Sequence, residues 1–174
     1  MNFDLQPRLE DDLIILQPLK EQDFEALYAA ASDPLIWEQH PVKERYKRDV
    51  FLENFFQSAI ESKGAFLVLE KKTGFVMGSS RFYNLHEKES DIEIGWTFLA
   101  RPYWGGRYNQ AMKALMMNHA FQFVDNIIFR IGENNWRSRK AVEKIGGVQI
   151  YPADSPHLEW LPNNVIYRIK KVDK

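Results

Sequence analysis

A change of hydrophobic period in the second half of the chain most constrains its fold. Asp91 to Leu99 is a strand-like run, and Ile127 to Ile131 is a second, shorter one. Between them, apolar residues recur at helical spacing: Met112, Leu115, Met116, Ala120, Phe123 and Val124. A helix that connects two strands of one sheet makes a right-handed crossover, and the two strands are then parallel. The sequence therefore predicts one parallel step around a helix over Tyr108 to Asp125.

Two helices are expected before the longest strands. Leu13 to Leu16 is a short aliphatic run that favours a strand. A first helix is marked by Phe24, Leu27, Tyr28 and Ala31, and it stops at Asp33-Pro34. A second helix begins near Arg48, carries Phe51, Leu52, Phe55, Phe56, Ala59 and Ile60 on one side, and is expected to end with Gly64. Both helices should pack on a sheet.

The remaining elements complete a mixed sheet. Ala65 to Glu70 and Phe75 to Tyr83 flank a turn at Lys71 to Gly74, and with Asp91 to Leu99 they predict three antiparallel strands. The last elements are a helix over Asn135 to Ile145 that stops at Gly146, and strands over Val148 to Tyr151 and Val165 to Lys171. The predicted fold is α/β in the α+β sense, a mostly antiparallel sheet with one parallel pair and flanking helices. It forms a single domain, 1–174, packed from about Asp12 to Lys171.

Size and charge limit the class of protein. At 174 residues, with 45% hydrophobic residues, the chain can bury about 70% of its unfolded surface. The 23 basic and 24 acidic side chains leave a net charge of −1. Proteins that neutralise many phosphates are more basic, so we expect no nucleic-acid partner.

Composition also limits the chemistry and the location. The sequence has no cysteine, which excludes disulfides, thiolate metal sites and a cysteine nucleophile. The four histidines show no metal-ligand spacing, so no metal site is predicted. Met1 to Asp12 is polar and acidic, and no apolar run is long enough to span a bilayer. We expect a cytoplasmic protein without a membrane partner.

One glycine-containing segment stands where a ligand would bind an open sheet. Arg101 to Asn109, RPYWGGRYN, joins a strand end to the start of the long helix. Two adjacent glycines, Gly105 and Gly106, let the backbone approach a ligand, and the free amides at a helix start attract an anion. Arg107 could add a charged contact. The alternative is that the two glycines only make a tight turn.

A second segment concentrates polar groups at a helix start. Asn135 and Ser138 are three residues apart and could face the gap between the parallel strands. Positive charge at this end of a helix opposes the helix dipole unless an anion is nearby, and three cations stand here: Arg137, Arg139 and Lys140. The alternative is an Asn cap on a surface helix with solvated charges.

Three segments in this order and spacing resemble the GCN5-related N-acetyltransferases, and within them the ribosomal-protein N-terminal acetyltransferases. They are LQPLKEQDFEALYAAASDPLIWEQHP, EIGWTFLARPYWGGRYN and NNWRSRKAVEKIGG. The resemblance runs from about Leu13 to Lys171. It implies a twisted sheet whose fourth and fifth strands splay apart to admit the pantetheine arm of coenzyme A. It further implies transfer of an acetyl group from acetyl-CoA to a small-molecule amine or a protein N-terminus, and it is compatible with a homodimer.

The resemblance also implies which residues bind the cofactor. The pyrophosphate loop would comprise Trp104, Gly105, Gly106, Arg107, Tyr108 and Asn109. The backbone of Thr97, Phe98 and Leu99 would pair with the pantetheine amides. Asn135 and Ser138 would lie near the cofactor arm, and Arg139 would reach a phosphate. The chain departs from the common loop form WGKGYA at Arg107 and Asn109. It carries Val142 where many members have a tyrosine that protonates the leaving thiolate.

Without a cysteine, the amine is expected to attack the thioester directly. An alkylamine has a pKa of about 10.4 and must first lose a proton. Glu93 is the candidate base, because it matches a glutamate that many members carry in the sequence EIG. Alternatively, Glu93 points to solvent, pairs with a basic neighbour, or acts with Asp91 to attract a cationic amine. The resemblance implies that a backbone amide near Phe98 stabilises the oxyanion.

Two other functions remain open from the sequence. A domain of this fold could bind or sense acyl-CoA without catalysis, which the altered loop and the missing tyrosine favour. It could also be an interaction module without a cofactor, if the glycine loop and the Asn135 helix are only structural.

Overall fold

The computed structural model describes residues 2–172, and it contains the mixed sheet that the sequence predicts. Met1, Asp173 and Lys174, the ends of the predicted 1–174 domain, lie outside the described residues. The strands are β1 (Leu9–Glu10), β2 (Ile14–Pro18), β3 (Ala65–Glu70), β4 (Val76–His86), β5 (Asp91–Leu99), β6 (Asn126–Gly132), β7 (Val148–Ile150) and β8 (Asn164–Lys170). The helices are α1 (Phe24–Ala31), α2 (Arg48–Phe51), α3 (Gln57–Glu61), α4 (Arg107–Ala120) and α5 (Trp136–Lys144).

The described strands form one sheet of eight in the order β1-β2-β3-β4-β5-β6-β8-β7. Only the β5–β6 pair is parallel among the described pairs, so the predicted crossover through α4 is confirmed. β1 was not predicted, because two residues are too short to show a period. α4 ends at Ala120, earlier than predicted, although Val124 is still buried in the core.

Helices cover both faces of the sheet. α4 packs on one face, where Met112 and Met116 contact strand residues such as Ile92 and Phe129. α1 to α3 pack on the other face around Phe51 and Phe55. Farther along that second face, the loop over 151–163 covers β6 and β8 through the buried Leu158. None of the helices within residues 2–172 has the length and apolar character that a bilayer-spanning helix needs.

The second predicted helix ends differently from the prediction. α2, a π-helical turn (Leu52–Phe56) and α3 run on as one helix, which stops at Glu61. Lys63, not Gly64, takes the left-handed conformation after the helix, with a φ of 49°. Gly64 instead lies against the neighbouring strand, where a Cβ would come within 2.1 Å of the Phe82 carbonyl oxygen. The prediction that Gly64 ends the helix was therefore wrong. This glycine is needed because the backbone of β4 passes too close for a side chain, and not because the chain turns there.

Gly64→Ala is expected to lower the free energy of unfolding by about 2 kcal/mol, since an added methyl must displace the backbone of β4. Urea unfolding followed by circular dichroism measures this change. Lys63→Gly is the matched control and should be neutral or stabilising, because glycine accepts the φ of 49° at this position. Equal unfolding midpoints for Gly64→Ala and the unmodified protein would contradict the close contact.

Candidate functional site

The two parallel strands separate after a short stretch of pairing. β5 and β6 pair at Asp91–Asn126, Ile92–Ile127 and Glu93–Ile128, and within the described residues the pairing stops there. β5 then continues beside β4 as far as Leu99, while β6 continues beside β8 as far as Gly132. The splayed pair that the resemblance implied is thus present. The edge of β5 that faces the gap offers backbone amides and carbonyls to an extended ligand.

A one-residue bulge reshapes β5 next to this gap. Gly95 pairs with Arg81 and Phe98 pairs with Ser79, so the stretch of β5 between the two pairs is one residue longer than that of β4. Trp96 occupies the bulge with a φ of 53°. Bulges of this kind bend a strand and redirect its side chains, and they occur often beside active sites.

The glycine segment forms an open cradle at the end of β5. Gly105 and Gly106 have φ values of 107° and 110°, a region that L side chains rarely adopt. A Cβ built on either residue would meet nothing within 4 Å among the described residues, so the cradle is open. α4 begins directly after it, and no described side chain caps its first turn at Gly106. Backbone amides at an uncapped helix start suit a phosphate, so this loop could hold a phosphate-bearing ligand.

The side chains of the loop hold it to its surroundings. The Trp104 indole N–H donates to the Leu99 carbonyl (2.8 Å), and the Tyr108 hydroxyl donates to Glu70 (2.7 Å). Arg107 is exposed, with its guanidinium 4.7 Å from the Tyr108 ring centre. Asn109 is half-buried on the first turn of α4. The departures from the common loop form thus lie at the helix start and outside the two glycines.

At α5 the structure contains the helix cap that the sequence left open as an alternative. The Asn135 side chain accepts the Ser138 backbone N–H (3.2 Å), which places both residues on the first turn. Arg139 donates to the Tyr167 hydroxyl (3.1 Å) and to the Glu133 carbonyl (2.9 Å). These bonds hold Arg139 to the loop before α5 and to β8, and not to the glycine loop.

Arg137, which was not predicted as a site residue, contacts the glycine loop instead. Its guanidinium lies 3.9 Å from the centre of the Trp104 ring and donates to Glu38 at 3.1 Å. It therefore links the starts of α4 and α5 across the splayed strands. The sequence showed only three cations in one turn, which does not indicate which of them faces the loop.

Glu93 lies where the two strands separate. Its side chain is buried, and its Oε1 accepts from Asn84 (3.1 Å) and from Arg130 (3.0 Å). Its Oε2 has no hydrogen-bond partner within residues 2–172. Burial, reinforced by the Glu93 carboxylate, raises the pKa of Tyr83 above its ordinary value. Glu93 therefore pairs with a basic neighbour, one of the predicted alternatives, and keeps one free oxygen.

Two buried arginines lie on the same face of β5 as Glu93. Arg45 and Arg81 place their guanidinium carbons 5.0 and 4.4 Å from the centre of the Trp96 ring. Burial lowers the pKa of each to about 10, and burial together with Arg45 lowers the pKa of His40 to about 4. No described carboxylate forms a salt bridge with either arginine. The surface that Arg45 and Arg81 form together, called the positive wall below, is therefore positively charged.

A buried lysine lies on the opposite face of β5, under α4. Lys113 donates to the Thr97 hydroxyl (2.6 Å) and the Ser80 hydroxyl (3.2 Å), and its Nζ is 5.7 Å from the centre of the Phe129 ring. It thus spans the gap between β5 and β6. Burial lowers the pKa of Lys113 to about 7. Its helical spacing with Met116 and Ala120, both core residues, is the sequence signal that would have found it.

Comparisons with known proteins agree with this architecture. Residues 14–148 match the family model described as acetyltransferase (GNAT) domain. A solved GCN5-related N-acetyltransferase from Brucella melitensis is 19% identical, with a TM-score of 0.79 over 95% of this chain and 79% of that one. An acetyltransferase from Agrobacterium tumefaciens is 20% identical, with a TM-score of 0.70 over 95% of each chain. A GNAT-family acetyltransferase from Bacillus anthracis is 20% identical, with a TM-score of 0.69 over 94% of this chain and 98% of that one.

Proposed function

The chain belongs to the acetyltransferase (GNAT) domain family, and from this premise we propose that it transfers an acetyl group from acetyl-CoA to a primary amine. The observation that carries the proposal is the open glycine cradle at the start of α4, beside the gap between β5 and β6. The cradle suits a diphosphate, and the free edge of β5 suits an amide-bearing arm. One extended ligand with both groups would occupy the two features together.

The residues around the gap have distinct tasks in this proposal. The amides of Gly106 and of the first turn of α4 would hold the diphosphate, while the backbone of Thr97 and Phe98 would pair with the arm. Acetyl-CoA supplies a thioester, whose carbonyl carbon is open to attack by an amine. Because the chain has no cysteine, no acyl-cysteine can form, and the amine attacks the thioester itself.

Glu93 accepts the proton of the attacking amine. Its free Oε2 faces a buried region, and Arg130 and Asn84 fix the other oxygen. The new C–N bond forms as the C–S bond breaks. The amine proton passes to Glu93, and coenzyme A leaves as its thiolate. A thiol has a pKa of about 8.5, so this departure needs little help from an acid. This accords with the burial of Val142 in the core, where the resemblance places a tyrosine.

The positive wall of Arg45 and Arg81 favours an acceptor that carries a negative group near its amine. An amino acid or a peptide N-terminus followed by an acidic residue has this charge pattern, whereas a polyamine does not. A panel of such amines, incubated with acetyl-CoA and assayed for released thiol, tests both the reaction and this preference. Acetyl-CoA that binds without turnover of any amine would instead support the non-catalytic binding domain.

Glu93→Gln is expected to lower kcat by about 100-fold or more, since proton transfer by a positioned base contributes about that factor. The Kd for acetyl-CoA should change little, because the glycine cradle is formed by other residues. Steady-state kinetics and calorimetry measure the two quantities. Glu133→Gln is the control, since Glu133 is an exposed carboxylate that does not contact Glu93 or its partners Asn84 and Arg130. An unchanged kcat in Glu93→Gln would remove Glu93 from the mechanism.

A further inference from the structure

Two histidines and one aspartate converge beside the loop over 151–163, outside the proposed acetyl-transfer chemistry. His86 is the last residue of β4, Asp91 is the first of β5, and His157 lies in the loop. The His86 Nδ1 is 2.8 Å from Asp91 Oδ1, and the His157 Nε2 is 2.7 Å from Asp91 Oδ2. The three groups can offer ligand atoms that all lie within 4.8 Å of one another.

The cluster encloses a charge that its neighbours only partly compensate. The Asp91 side chain is 3% exposed, and within residues 2–172 its salt-bridge partners are only the two imidazoles. A buried carboxylate is costly unless a positive charge and hydrogen bonds offset it. The two imidazoles supply hydrogen bonds, and a cation bound between the three groups would place a positive charge directly beside the buried carboxylate.

The donor set is that of a transition metal. Two imidazole nitrogens and one carboxylate oxygen suit Zn²⁺, which binds such ligands at about 2.0–2.2 Å in a tetrahedral arrangement. Ligand atoms around such an ion are about 3.3 Å apart, so each imidazole would move about half an ångström away from the carboxylate oxygen that it now contacts. The ligand atoms that are farther apart, all within 4.8 Å, would approach the same spacing. His86 and His157 are 32% and 24% exposed, which leaves a fourth position open to water.

The backbone holds two of the three groups in place. His86 and Asp91 are partners in the antiparallel β4–β5 ladder, and Asp91 also pairs with Asn126 of β6. His157 is fixed next to Leu158, which is buried against Ile128. Ligands held on sheet residues need little ordering when an ion binds.

We propose that His86, Asp91 and His157 bind one divalent transition-metal ion, Zn²⁺ being the ion that fits, and that this ion fastens the 151–163 loop to the β4–β5 hairpin. The same loop contacts Arg130 through the Glu159 carbonyl, and Arg130 is the partner of Glu93. The ion would therefore hold the loop beside the point where β5 and β6 separate. The sequence predicted no metal site, because the two histidines meet only through the fold.

Calorimetry with ZnCl₂ on protein freed of metal by a chelator tests the proposal. One Zn²⁺ per chain with micromolar or tighter affinity is expected, together with an upward shift of the melting temperature. Co²⁺ should give the visible absorption bands of a tetrahedral site and lose them when Zn²⁺ displaces it. Absence of Zn²⁺ binding would overturn the proposal and leave a hydrogen-bonded His–Asp–His cluster.

Variants assign the binding to these residues. Asp91→Asn and His157→Gln should each weaken Zn²⁺ binding by more than about 100-fold, since even outer-shell changes cost up to about that factor. His157 lies in a loop, so His157→Gln keeps the test valid if Asp91→Asn does not fold. His119→Gln, which removes a histidine that contacts Asp4 instead, should bind Zn²⁺ unchanged. Unchanged binding in both cluster variants would overturn the site. Titration of the same samples with acetyl-CoA reports separately on the proposed function.

Discussion

Gly105→Val is expected to weaken acetyl-CoA binding by at least about 100-fold, which corresponds to about 2.7 kcal/mol. The φ of 107° at Gly105 is closed to a β-branched residue, so the loop must leave its present conformation. A Cβ at this position meets no described atom within 4 Å, so the added side chain does not crowd the protein itself. The substitution is therefore expected to change the conformation of the cradle and to weaken the binding of the ligand that the cradle holds.

Calorimetry with acetyl-CoA measures this loss, and Gly146→Val is the matched control. Gly146 also has a strongly positive φ, 97°, and open space at its Cβ, but it lies at the end of α5 away from the cradle. The two variants should lose similar stability, and only Gly105→Val should lose binding. Acetyl-CoA binding that survives in Gly105→Val would show that the diphosphate site lies elsewhere.

Lys113→Met is expected to raise the free energy of unfolding at pH 7 by on the order of 3 kcal/mol. The folded protein holds the pKa of Lys113 at about 7, whereas an unfolded lysine has about 10.4. Between these values the unfolded chain binds a proton that the folded chain does not, and this destabilises the fold. Methionine has no such proton. The Ser80 and Thr97 hydroxyls, 2.8 Å apart, stay bonded to each other without the lysine.

The same difference sets a pH dependence with a definite sign. Stability of the unmodified protein should rise as the pH increases from about 7 to about 10, because the unfolded state binds more protons there. The difference from Lys113→Met should shrink over this range. Urea unfolding at a series of pH values measures it. Lys113→Arg, which remains charged, should be less stable than both. A constant difference between the lysine and methionine proteins would contradict a buried, neutral Lys113.

The sheet could be predicted from the sequence because its signals are local. The strand-like run over Asp91 to Leu99 and the helical spacing over α4 each lie within one element, and the crossover rule then fixes their relation. The turn at Gly74 was predicted for a similar reason, and its φ of 74° confirms it. The Gly64 prediction failed because a glycine that ends a helix and one that admits a neighbouring strand look alike in sequence.

The candidate site likewise contains residues that could be predicted from the sequence and residues that could not. Gly105 and Gly106 were found because adjacent glycines before a helix are visible locally. Arg45 and Arg81 meet at Trp96 only after α2 and α3 pack on the sheet, and neither has a local pattern that marks it. Arg130 illustrates an intermediate case. It lies within the run that was predicted as a strand, but only the β5–β6 register made it a partner of Glu93.

The bulge at Trp96 determines how changes of length would affect this chain. Ile94 and Leu99 both lie in the core under α4, yet they are an odd number of residues apart, so a regular strand would place them on opposite faces. Deleting Trp96 would place Ile94 and Leu99 four residues apart, so the regular alternation would return with both side chains still facing α4. A single-codon deletion elsewhere on β5 would exchange the two faces along the rest of the strand, whereas a deletion at the bulge would keep each side chain on its face and remove only the bend. In alignments of related chains, a one-residue gap within β5 should therefore fall at this position.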